Sequence, residues 1–308
     1  MRIAITGAGG FIGSHLLERA LQRGFEVRAH LGPPDAAVHE PPAGVRGVRA
    51  SIDDPAPIRS LVEGAEVVIH LAGPASVAAS WSDPAGCVRA HVDGTANVLE
   101  ACRAQGVGRF VSLSSAEVYA ADRPVPVGED DPVGPRSPYG AAKLAAEHLV
   151  GAYARGCGLA ARVLRLFSVF GPRQRAGVVD HICRQALAAG AIELQAPDVV
   201  RDFCYVDDVS DAVLLAVRAT AQGGLATLNI GRGQGLRIEA LAARAQAVLG
   251  VPSRVRRGSG PPRPAGTDVP YLVADTRRAL EVLGWSPQTS LDEGLRRTFA
   301  TLGAGVAR

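Results

Sequence analysis

Arg2-Ile3-Ala4-Ile5-Thr6-Gly7-Ala8-Gly9-Gly10-Phe11-Ile12-Gly13 is the stretch whose reading decides the fold. Arg2 to Thr6 is a short apolar strand. From Phe11 to Arg23 apolar residues recur at helical spacing, so the glycines sit at a strand-to-helix turn. In that setting Gly7 permits a tight turn and Gly10 lets the backbone approach a pyrophosphate. Gly13 lets the helix pack closely on the strand, while the helix N-terminus faces the anion. A ligand-free glycine turn would share the composition, but not this placement between strand and helix.

The chain has 308 residues, 47% hydrophobic residues and a formal net charge of +3. That length builds a full core, either one large α/β domain or one plus a smaller lobe. The near-neutral charge and the lack of a basic stripe point away from nucleic acid. Cys87, Cys102, Cys157, Cys183 and Cys204 are scattered, without spacing for zinc or a redox dithiol. No metal site is expected, and dispersed thiols suit a cytoplasmic enzyme. The N-terminus enters a strand at once, with no signal peptide, and no run is long enough to span a membrane.

Ser137-Pro138-Tyr139-Gly140-Ala141-Ala142-Lys143 reads as a helix start, with Ser137 as cap and Pro138 in the first turn. Tyr139 and Lys143, four apart, share one helical face. A tyrosine with pKa near 10 is a poor base at neutral pH, and a nearby ammonium favours the phenolate. Alone, the pair reads equally as a packed Tyr139 and a Lys143 solvated or paired with Glu147.

The Gly-x-x-Gly-x-x-Gly turn followed by Tyr-x-x-x-Lys resembles the extended short-chain dehydrogenase/reductase family. Its members are mostly nucleotide-sugar epimerases, dehydratases, decarboxylases and reductases. The resemblance runs from residue 3 to about residue 300. It implies a doubly wound parallel Rossmann sheet with a smaller C-terminal α/β substrate lobe. Residues 1–169 would form the dinucleotide-binding domain, with 203–231 returning to it, and 170–308 mainly the sugar lobe. Phe11, Ile12 and Ile52 join the three glycines at the cofactor.

The second strand, Glu26 to Leu31, ends without the acid typical of NAD enzymes or the arginine of NADP enzymes. Asp35 on one side, and Arg28 with Arg46 on the other, are the candidate substitutes. NAD is favoured slightly and NADP is left open. Asp53 resembles the family's adenine-contacting acid, or it caps the next helix. Val67 to Gly73 is a buried strand entering a small-residue loop, so Leu71, Ala72 and Gly73 are expected beneath the dinucleotide. His70 reads as structural. A long helix spans Cys87 to Gln105, and His91 stands where the family usually has Asn.

Arg109 to Ser115 is a strand that delivers Ser114 and Ser115 to its C-terminal end. Ser115 falls at the family's catalytic Ser or Thr, completing a set with Tyr139 and Lys143, and Ser114 is placed near the sugar. Ala116-Glu117 follows. The 4,6-dehydratases carry Asp-Glu there and decarboxylases usually Thr-Ser-Glu. Ala116 cannot donate a proton, and Glu117 reads equally as a base or as a structural acceptor. The loop from Ala121 to Arg136 is positioned to cover the sugar.

Ser168 replaces the family's usual sugar- or diphosphate-touching Asn. The Arg201-Asp202-Phe203-Cys204-Tyr205-Val206-Asp207 run places Arg201 on the diphosphate. Asp202 and Asp207 are read as holding the loop and capping the next helix, and Arg263 resembles the second diphosphate arginine. Leu280, Leu283 and Trp285 are expected in the core.

The expected substrate is a nucleoside-diphosphate sugar, and the resemblance implies a homodimer through the helices at 87–105 and 138–156. A 4-epimerase is favoured because it needs only Ser115, Tyr139 and Lys143. A 4-ketoreductase, or a decarboxylase or dehydratase using Glu117, is the alternative. A non-catalytic NAD(P)-binding sensor or scaffold is the reading from another class.

Overall fold

The computed structural model describes residues 1–121, 125–188, 191–250, 254–258, 264 and 267–306. Apolar runs become the strands of a sheet covered on both faces, as parallel sheets require. In chain order the first half runs β1 (Arg2–Thr6), α1 (Phe11–Gln22), β2 (Glu26–Gly32), β3 (Arg46–Arg49) and α2 (Pro55–Val62). β4 (Val67–His70), α3 (Val77–Ser82), α4 (Pro84–Val88), a π-helical turn (Arg89–Asp93) and α5 (Gly94–Gln105) follow. β5 (Arg109–Ser115), a 3-10 turn (Ala116–Val118), α6 (Pro138–Cys157) and β6 (Ala160–Leu166) complete this half.

The second half runs β7 (Ser168–Phe170), α7 (Val178–Leu187), β8 (Ile192–Leu194), β9 (Val200–Tyr205), α8 (Val206–Ala219) and β10 (Leu225–Ile230). Then come β11 (Gly235–Arg237), α9 (Ile238–Leu249), β12 (Val255–Arg257), β13 (Tyr271–Leu272), α10 (Arg277–Leu283) and α11 (Leu291–Val306).

Seven strands form one parallel sheet in the order β10-β6-β5-β4-β1-β2-β3. The chain steps outward from β1 to β3, then restarts at β4 on the other side of β1. That reversal opens a crevice at the C-terminal ends of β1 and β4, where open α/β sheets bind ligands. Alternation along the strands divides the core: Ile3, Ile5, Val67 and Ile69 face α1 and α8, while Ala4 and Val68 face α2 and α5.

The smaller lobe holds β9 between β11 and β13, with β7 also on β9, and a separate β8–β12 pair. Phe170, Ile182, Phe203, Tyr205, Leu241 and Leu295 pack its interior. Phe203, Cys204 and Tyr205, expected with the returning segment, instead finish β9. The return starts at α8 and ends with β10 beside β6.

Two local readings need correction, those of Leu280 and Asp207. Leu280 is 56% exposed, because Ala279 is the α10 residue turned to the core. Trp285 is buried, its Nε1–H donating to the Asp208 carbonyl at 2.9 Å, and Leu283 is half-buried. Asp207 does not cap α8, which has no side-chain cap; it accepts instead from His15 at 3.1 Å.

Candidate active site

The glycine turn leaves β1 and enters α1 directly. α1 has no side-chain cap and no acid in its first turn, whereas Asp54, Ser76, Asp83 and Ser137 cap the starts of α2, α3, α4 and α6. Its first N–H groups are therefore left for an anion. Packing here is tight: a Cβ on Gly13 would lie 2.1 Å from the Gly7 carbonyl oxygen. Leu71 and Ala72 follow β4, and their N–H groups donate to Thr6 Oγ1 at 3.2 and 3.3 Å, which fixes the loop that Gly73 continues. The turn, this loop and Ile52-Asp53 beyond β3 line one crevice, and these residues fit a dinucleotide.

Asp53 is not the cap of α2. Asp54 is, accepting from the Ala56 N–H at 3.3 Å, and Asp53 accepts from the Ser51 hydroxyl. Arg28 is not aimed at a phosphate: it donates to the Ser60 carbonyl at 3.2 Å and the Glu63 carbonyl at 2.5 Å, behind α2. Arg46 lies opposite Arg28 in register, away from the strand end, and Asp35 is exposed. At the end of β2, His30 turns under the glycine loop. Its Nδ1 accepts from the Gly7 N–H at 3.2 Å and its Nε2–H donates to the Ala50 carbonyl at 2.9 Å.

The chemical centre is built where β5 meets α6. Ser137 caps α6 by accepting from the Gly140 N–H at 3.1 Å, and Pro138 occupies the first turn. Gly140 lets the helix approach the 3-10 turn that follows β5, since a Cβ there would lie 2.4 Å from the Glu117 carbonyl oxygen. That approach brings Tyr139 to Ser115. Burial pushes the Tyr139 phenol up to about 12; a hydrogen bond with Ser115 opposes the rise, and Glu117 and Cys87 add to it. The expected lowering by Lys143 is not among these influences in the protein alone, where the loss of water around Tyr139 dominates.

Lys143 is buried and donates from Nζ to the Leu113 carbonyl at 2.9 Å. Burial lowers its pKa to about 8, opposed by the fields of Glu147 and Cys87. Ser115 Oγ accepts from the Glu117 N–H at 3.2 Å, which aims the Ser115 side chain and starts the 3-10 turn. Glu117 is half-buried beside Tyr139. Ser114, expected near the sugar, points the other way: its hydroxyl donates to Glu147 Oε1 at 2.5 Å.

His91 lies in the π-helical turn, its ring edge-on to Tyr139 with centroids 5.4 Å apart. Its Nε2–H donates to the Pro74 carbonyl at 2.9 Å, and burial lowers its pKa to about 3. His70 bridges Thr6 Oγ1 at 2.8 Å and Thr95 Oγ1 at 3.0 Å, in keeping with a structural residue.

Ser168 opens β7, half-buried. Arg201 is half-buried, with Nη1 donating to the Val200 carbonyl at 2.9 Å and the Val269 carbonyl at 2.7 Å. Asp202 is fully buried and accepts from the Arg232, Gly233 and Ala274 N–H groups at 2.7, 2.8 and 3.1 Å, holding the turn after β10. Arg263 lies outside the described residues. Glu147 and Arg165 were not singled out as site residues, although Glu147 stands one turn beyond Lys143. No helix among the described residues is long and apolar enough to cross a membrane.

Comparison with known proteins agrees with this geometry. A UDP-glucose 4-epimerase of Mycolicibacterium smegmatis is 36% identical over 97% of both chains. A UDP-glucuronic acid decarboxylase of Arabidopsis thaliana is 29% identical over 96% of this chain and 87% of its own. Among solved structures, MoeE5 in complex with UDP-glucose and NAD superposes with a TM-score of 0.90 at 32% identity, covering 99% of this chain and all of that one. The model of the NAD dependent epimerase/dehydratase family matches residues 3–231. The chain belongs to the NAD dependent epimerase/dehydratase family.

Proposed function

We propose that the protein is an NAD-dependent nucleoside-diphosphate-sugar 4-epimerase. The observation that carries this reading is the convergence of Ser115, Tyr139 and Lys143 at the C-terminal end of β5, two strands over from the β1 that leads into the glycine turn. Bound NAD supplies the hydride acceptor and a positively charged nicotinamide ring. Tyr139 takes the proton of the C4 hydroxyl as hydride leaves C4. Lys143, together with the positive charge a bound nicotinamide would add, would offset the burial that keeps the phenol protonated. Ser115 donates to the C4 oxygen and orients it. Hydride then returns to the opposite face of the 4-keto sugar while Tyr139 gives its proton back, so no cofactor is consumed. Arg201, Ser168 and Arg263 are proposed for the diphosphate and sugar, and Asp53 for the adenosine end. Ser114 is proposed as a support rather than a sugar ligand, a reading its hydrogen bond to Glu147 favours.

A uridine nucleotide is the first substrate to try, because the relatives named above act on or bind UDP-sugars. Glu117 supports a second reading, decarboxylation, since it stands beside Tyr139 with no cation paired to it among the described residues. Ala116 leaves dehydration without its acid. A homodimer through the layer α4–α6 fits the exposure of Val88 there, and five free cysteines fit the cytoplasm; sedimentation and fractionation test these.

The decisive experiment releases and identifies the bound nucleotide by mass spectrometry, then incubates the protein with UDP-glucose, UDP-galactose and UDP-glucuronic acid. Retained NAD and C4-inverted sugar without net reduction are expected, and Tyr139→Phe should lower the rate about 10²-fold or more. Loss of CO2 from the acid would establish decarboxylation. Consumption of NAD(P)H only with a 4-keto sugar would establish a reductase. Tyr139→Phe that keeps its cellular role would point to a sensor.

A further inference from the structure

Three consecutive residues of β5 each grip one turn of α6. The Leu113 carbonyl accepts from Lys143, the Ser114 hydroxyl donates to Glu147, and Ser115 stands beside Tyr139. Tyr139, Lys143 and Glu147 follow one another at intervals of four, so they share one face. Glu147 is closed off by Arg165, which pairs with Ser114 in the β5–β6 register. The Arg165 Nε and Nη2 donate to the carboxylate at 3.0 and 2.7 Å, and the two side chains are 8% and 9% exposed. The Arg165 guanidinium also covers the Tyr119 ring at 4.7 Å and donates to the Glu129 carbonyl at 3.1 Å, in the loop before α6. None of the contacts of Glu147 and Arg165 touches the reacting atoms. A buried ion pair is weak evidence for stability, because hydrophobic replacements often do as well.

We propose that Glu147 is a positioning residue of the reaction: locked by Ser114 and Arg165, its carboxylate holds the α6 face in register with β5 and keeps the buried Lys143 charged. The proposal rests on the catalytic role given to Lys143 above. The other groups facing Lys143 cannot supply the counter-charge. Burial keeps His70 on β4 and His91 in the π turn neutral and raises the Cys87 thiol on α4. Ser115 and Tyr139 are neutral hydroxyls, and Arg165 on β6 is itself a cation. Burial already brings Lys143 to about 8, with Glu147 the leading influence against that fall. Without the carboxylate, the ammonium would share a buried space with an unbalanced guanidinium and lose its proton near neutral pH.

Lys143 is the only lysine in the chain, so the test can watch it directly. Protein grown on 13C,15N-lysine gives one side-chain signal, whose midpoint is followed by NMR against pH in wild type, Glu147→Gln and Glu147→Gln/Arg165→Met. The double variant removes both charges, so it remains folded where the single one leaves Arg165 unpaired. A midpoint lower by about one unit or more is expected in Glu147→Gln, and a smaller fall in the double variant, with the alkaline limb of kcat/KM moving equally and the sugar KM unchanged. An unmoved midpoint in either folded variant overturns the proposal. If the midpoint moves but wild type inverts no sugar, the functional reading has failed and the electrostatic one stands.

Discussion

Imidazoles at the strand ends show how burial sets a protonation state. The Gly7 N–H and the Ala50 carbonyl fix which nitrogen of His30 carries its proton. His30, His70 and His91 are all held below the usual 6.5 by lost solvation. The unfolded chain would take up these protons near that value while the native one refuses them, so stability is lost as pH falls below about 6.5. For His91 the loss continues to about 3. Each group contributes up to about 1.4 kcal/mol per pH unit over its own window. A melting temperature that falls between pH 6.5 and 4.5, less steeply in His91→Asn, is the expected outcome. An unchanged slope would mean that His91 is solvated. At this scale Tyr139 and Lys143 could be paired from the sequence because they lie four apart on one helix, whereas Ser115, 24 residues earlier, came from the family resemblance. It could not show that Ser114 belongs to Glu147, since the inward and outward sides of β5 are assigned only when α6 packs.

At the scale of elements, the helix that presents Tyr139 is placed by a missing side chain. Gly140→Ala would set its methyl 2.4 Å from a backbone oxygen that cannot swing aside. The helix must then move from the turn after β5, at a cost of about 1–3 kcal/mol. Activity should fall at least about tenfold with helical content unchanged, as circular dichroism and sugar turnover would register; a fully active variant would show that Tyr139 tolerates the shift. The regular strands and helices were readable from their periods. The π-helical turn at Arg89–Asp93 was not, because apolar spacing still reads as one long helix through it. That turn brings the His91 ring against Tyr139, and π turns favour functional sites. Leu280 failed for a related reason: a seven-residue helix offers too few turns to say which face is inward.

Across the whole molecule, the two lobes are joined by buried polar groups rather than by a linker. Asn229, on β10, accepts from the Tyr119 hydroxyl at 2.7 Å and donates to the Val127 carbonyl at 2.8 Å and the Asp275 carbonyl at 3.4 Å. Asn229→Ala should cost about 1–3 kcal/mol for each buried partner left unsatisfied. A lower urea midpoint with NAD still retained is expected, and an unchanged midpoint would show that water replaces the amide. The sheet was legible from the glycine turn and the alternating pattern. The lobe was less so, because its short strands pair over long sequence distances. The strand order also shapes how the chain is born. β6 stays an open edge until Leu225–Ile230 has left the ribosome. Through that interval the backbone of Ala160–Leu166 is a template for mispairing with other nascent chains, so demand for chaperones should concentrate while the second half is being made.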